Sequence, residues 1–147
     1  MKSTSKTKEI QTNSSSNLLV LGATGQVGKL VARALRRSEA NLASFVKANN
    51  DRNIDSVTAC FSKEAVVYDD GQIMRGTDEI RQWIAGLFQK FQYVVTPTNV
   101  RGTTNGAVLT ATIIGNFPGG HVSLDYHCRA LGDKIEVMVI LPTSVAK

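Results

Sequence analysis

Between Tyr93 and Leu141 the chain repeats one unit, a long β-branched and apolar run closed by a reversal, and few architectures accommodate four such runs in succession. The runs are Tyr93 to Val100, Ala107 to Phe117, His121 to Leu131 and Lys134 to Leu141. Asn105-Gly106 and Gly132-Asp133 signal tight hairpins, and Pro118-Gly119-Gly120 a broader reversal, so successive runs pair antiparallel. In HVSLDYHCRAL the residues Val122, Leu124, Tyr126, Cys128 and Ala130 alternate with Ser123, Asp125, His127 and Arg129. That alternation predicts one face on a core and the other outside. The last run, KIEVMVIL, is apolar on both faces, with Ile135, Val137, Val139 and Leu141 on one and Met138 and Ile140 on the other. A sheet wetted on one side should alternate, so a cover on the outer face is expected, most simply a homodimer partner.

Upstream of the strands the period changes. Leu42, Phe45 and Val46, then Ile54, Val57 and Phe61, recur at helical spacing, with a break near Asn49 to Asn53. Ala65 to Tyr68 reads as a short strand stopped by Asp69-Asp70-Gly71. Gly76-Thr77 opens a further helix in which Thr77 is placed to cap and Asp78 and Glu79 suit the positive first turn. Its apolar stripe is Ile80, Trp83, Ile84, Leu87, Phe88 and Phe91. Helices followed by a curved antiparallel sheet define an α+β domain.

Residues 41–147 resemble the nuclear transport factor 2-like superfamily, the α+β cone of SnoaL-like polyketide cyclases and ketosteroid isomerases. The marks are AVVYDDG after a helix ending in CFSKE, the helix start GTDEIRQW, and GNFPGGHVSLDYHCRALGDKIEVMVI. The resemblance implies a cystatin-like cone with a pocket for a small apolar molecule, dimerised through the outer face of the sheet. It further implies a carboxylate at Asp69 acting as general base beside a carbonyl, with hydrogen-bond donors holding the enolate oxygen. Asp69 also fits a plain turn with Asp70 and Gly71. The first enolate donor of the isomerases falls on Phe45, which has none to give. The second falls on Tyr126 if Arg129 sets the register, a position that equally suits a core tyrosine. Phe45, Tyr68, Trp83, Phe88, Tyr93 and Leu124 are the expected pocket residues. Strand parity sends Asp125 outward, to a salt link or dimer contact. His121 and His127 share that face without a third ligand in the sequence, so no metal is expected.

Residues 17–37, NLLVLGATGQVGKLVARALRR, resemble the first βα unit of NmrA-like atypical short-chain dehydrogenases. Gly22, Gly25 and Gly28 stand in the GxxGxxG spacing that lets backbone amides approach a pyrophosphate. A second parallel strand with a ribose-reading residue should follow about 20 positions on. Helix periodicity follows instead, so the glycines are read as a vestige and no cofactor is expected. The resulting division is a disordered tail at 1–16, a Rossmann-like fragment at 17–40 and the cone at 41–147.

Charge supports that division. Of the net +5, all lies in residues 1–40, which carry seven Lys or Arg against Glu9 and Glu39; the remainder balances. A nucleic-acid groove in the cone would concentrate cations there, so no specific nucleic acid is expected. MKSTSKTKEIQTNSSS has no apolar core for a secretory signal, and no run is long enough for a membrane span, which points to the cytoplasm. Cys60 and Cys128, far apart and outside any CxxC, read as buried small hydrophobes. Three functions stay open: a pocket enzyme of isomerase, cyclase, lyase or hydrolase type; a noncatalytic binding or dimerisation module; and an NAD(P)-dependent reductase remnant.

Overall fold

The computed structural model describes residues 25–144. Three helices and six strands follow in the order α1 (Gly25–Asn50), α2 (Ile54–Ala59), β1 (Phe61–Asp69), β2 (Gln72–Arg75), α3 (Gly76–Lys90), β3 (Tyr93–Thr103), β4 (Gly106–Gly115), β5 (His121–Leu131) and β6 (Lys134–Pro142). The expected strand at Leu18 to Leu21, together with Gly22, lies outside the described residues. Gly25 and Gly28 fall within α1, which runs unbroken through the boundary expected at residues 40 and 41.

The C-terminal half of α1 buries Leu42, Phe45, Val46 and Asn49 along one stripe at helical spacing. It ends in a Schellman closure: Asn53 N–H donates to Ala48 O and Arg52 N–H to Asn49 O, both at 3.0 Å. Arg52 occupies the left-handed position at φ 54°, where glycine is the usual choice. Its guanidinium supplies the compensation, donating to the carbonyls of Phe88 and Phe91 at the end of α3 while lying 4.8 Å from the centre of the Phe88 ring. Asn53 then caps α2 by accepting the Ser56 N–H at 3.0 Å.

Phe61 is not the last turn of a helix, as its spacing suggested. It opens β1, so CFSKE leads into a nine-residue strand and not out of a helix. Asp70 and Gly71, at φ 51° and 77°, make the two-residue reversal into β2, a strand too short to announce itself by periodicity. Thr77 does not cap α3. The helix starts one residue earlier, at Gly76 with φ 82°, and the Glu79 carboxylate reaches back to accept the Arg75 N–H at 2.8 Å.

The sheet has the order β2-β1-β6-β5-β4-β3 and curves around the helices. It is mixed, correcting the wholly antiparallel expectation: β1 pairs parallel with β6, through Val66 opposite Val137 and Tyr68 opposite Val139. The meander β3 to β6 alternates direction, so its fourth strand returns pointing the way β1 points. A bulge in β6, where Ala130 faces Ile135 but Arg129 faces Val137, also overturns the expected parity. Glu136 is the extra residue; Ile135 turns inward with Met138 and Ile140, while Val137, Val139 and Leu141 remain outside. Gly106 is required by space and not by a turn dihedral, because a Cβ there would lie 1.9 Å from the Cys128 carbonyl oxygen.

Candidate functional site

Helices α1 and α3 cross the concave face of the sheet but do not fill it. Between them lies a cavity of about 170 Å³. Its wall is mostly apolar and includes Phe45 from α1, Trp83 and Leu87 from α3, and Ile113, Leu124 and Ile140 from the sheet. Four polar residues join them: Asn49, Asp69, Tyr93 and Tyr126.

Asp69 is the last residue of β1, facing inward opposite Ile140 just before the hairpin turn. Its Oδ2 accepts the Trp83 Nε1–H at 2.9 Å. Burial raises its pKa above the ordinary carboxylate value, against the lowering effect of the indole hydrogen bond, and the neighbouring Asp70 charge raises it further. Asp70 itself is exposed. The two acids therefore have different environments, although they are adjacent in sequence.

Tyr126 is buried on β5 with its ring 5.6 Å from that of Phe45. Burial pushes its phenol upward, as do Tyr93 and Asp69, which face the same space. Tyr93 donates its hydroxyl to Asn49 Oδ1 at 2.6 Å, and its phenol is likewise raised by burial, with Arg52 acting the other way. Asn49 was not anticipated; as a polar residue on the buried stripe of α1, it carried a signal that helical periodicity could have revealed.

Of the residues expected at the pocket, Phe45, Trp83, Tyr93 and Leu124 line the cavity with Asp69 and Tyr126. Tyr68 and Phe88 do not and are corrected. Tyr68 alternates with Asp69 and so projects to the outer face, 38% exposed. Phe88 is buried in the core beneath the Arg52 guanidinium. Asp125 points outward as expected, but its Oδ1 accepts the hydroxyls of Thr110 at 2.7 Å and Thr143 at 2.9 Å in place of the expected salt link. Among the described residues no group of His, Cys, Asp and Glu could hold a metal ion. Both cysteines are free, and burial pushes the Cys128 thiol up to about 12. No helix among the described residues is long and apolar enough to cross a membrane.

A curved sheet wrapped around helices, with a carboxylate facing an apolar hollow, defines the class of α+β cones. Residues 42–130 match the SnoaL-like domain family, and the chain belongs to it. The match begins after the glycine turn and lends the dehydrogenase-like reading of residues 17–37 no support. Among curated proteins none matches. Solved structures share the fold: a candidate polyketide cyclase of Sinorhizobium meliloti has a TM-score of 0.67 at 24% identity, over 69% of this chain and 94% of that one. A Catenulispora acidiphila protein with a ketosteroid isomerase-like fold, in complex with trimethylamine, scores 0.64 at 18% identity, over 69% and 83%. An LEH-like epoxide hydrolase of M. tuberculosis scores 0.62 at 12% identity, over 72% and 82%.

Proposed function

We propose that the cone binds a small, largely apolar molecule and that Asp69 acts on it as a general base beside a carbonyl. The observation carrying this reading is a half-buried carboxylate of raised pKa facing an apolar cavity, the environment in which a carboxylate becomes a stronger base. Asp69 takes a proton from the carbon next to the carbonyl, and the freed electron pair moves to the carbonyl oxygen. The Tyr126 hydroxyl stabilises that developing charge. A cavity of about 170 Å³ suits a ligand of roughly one ring, since an engineered cavity of ~150 Å³ admits benzene. Structural neighbours named for cyclase and hydrolase activity, and one bound to trimethylamine, support small-molecule chemistry in such a cone.

The test is α-proton exchange of cyclohexanone in D2O, followed by NMR. The intact chain should accelerate exchange, Asp69→Asn should lower the enzymatic rate by about 100-fold or more, and Tyr126→Phe by a smaller factor. An Asp69→Asn variant as active as the parent would refute the assignment. A noncatalytic binding module is the second reading. It is favoured by the lining itself, where Phe45 offers no donor and the Trp83 and Tyr93 donors are already engaged. The free cysteines accord with a cytoplasmic protein.

A further inference from the structure

The cavity holds an unbalanced charge. Among its lining residues Asp69 is the one acid, and they include no Lys, Arg or His. Its hydrogen-bonding capacity is unbalanced in the same direction. The Trp83 indole donor is spent on Asp69, and the Tyr93 hydroxyl on Asn49, at 2.9 and 2.6 Å. Among the described residues no donor reaches Asp69 Oδ1, while Tyr126 supplies a single hydroxyl. A ligand carboxylate or phosphate would meet like charge here, whereas a cationic group on the ligand would supply the carboxylate with a counter-charge.

The remaining wall strengthens the bias. Phe45, Trp83, Phe91, Tyr93, Phe117 and Tyr126 surround the space with aromatic rings, whose faces attract cations. Alkylated ammonium groups match this combination, because their charge is spread beneath apolar methyl groups and their desolvation is less costly than that of a bare ammonium. We propose that the cavity selects a small alkylated ammonium compound over a neutral molecule of the same shape. The inference rests on the reading of the cavity as the ligand site and narrows its substrate class to molecules carrying a cationic nitrogen.

Choline and 3,3-dimethylbutan-1-ol form a suitable pair, since they share a skeleton and differ by nitrogen for carbon. Trp83 is the chain's one tryptophan and touches Asp69 directly, so its fluorescence reports occupancy in the full-length protein. Choline should bind about tenfold tighter than the alcohol or better, and Asp69→Asn should erase that preference. The wild-type comparison stands even if the variant folds poorly. Equal binding, tighter binding of the alcohol, no binding of either, or a preference that survives in folded Asp69→Asn would each overturn the proposal. Cyclohexanone exchange separates the two readings. Exchange without cation preference leaves the proton-transfer reading and removes this one; cation preference without exchange does the reverse.

Discussion

At Asp69, burial and a single indole donor pull in opposite directions, and burial prevails. The folded chain therefore holds this proton more tightly than the unfolded chain does. Its charge weighs little on the fold below the unfolded carboxylate's pKa of about 4, and increasingly as pH rises through the higher folded value. Asp69→Asn, which keeps an oxygen for Trp83, should raise the urea midpoint at pH 7, with the gain shrinking toward zero near pH ~4. A variant less stable than the parent at neutral pH would show that the indole bond outweighs burial. Neighbouring acids of such different environments are hard to read from sequence, because Asp-Asp-Gly describes the turn equally well with either one turned inward. Tyr126 was legible from strict alternation in β5. Tyr68 and Phe88 were misplaced because aromatic character says nothing about the direction in which a side chain points.

Elements were legible where a period ran long enough to be counted, as in α3 and β5. β2 escaped because four residues cannot establish alternation, and the β6 parity failed because an inserted residue leaves no trace in an apolar run. The parallel partner of β1 was hidden for a different reason: no local signal encodes which distant strand completes a sheet. One element junction has a checkable energetic role. β3 forms an edge of the sheet, and the Asn50 side chain satisfies Val95 there, accepting from its N–H at 2.8 Å and donating to its carbonyl at 2.9 Å. Asn50→Ala would strand both groups beside a buried valine, and should cost about 2 kcal/mol in chemical denaturation. A loss under roughly 0.5 kcal/mol would mean that water replaces the amide without penalty.

At the scale of the whole molecule, the outer face carries a row in which Ile73 pairs with Tyr68 and Tyr68 with Val139, with Leu141 on the same face of β6. Ile73 is 48% and Leu141 48% exposed, a poor surface to leave in water. We propose that a second copy covers it. Light scattering at micromolar concentration should give the mass of a dimer, and Tyr68→Glu with Val139→Glu should give a monomer; a monomeric parent would exclude the arrangement. The parallel joint between β1 and β6 bears on synthesis as well as shape. Val66 and its neighbour Val137 are separated by about seventy residues, so their pairing closes a long loop and depends on contacts remote in the chain. Asp69 is synthesised about seventy residues before Ile140, which sits opposite it in β6 and beside it in the cavity wall. A growing chain thus carries its carboxylate unseated until β6 has also been made, and has no complete binding pocket before then.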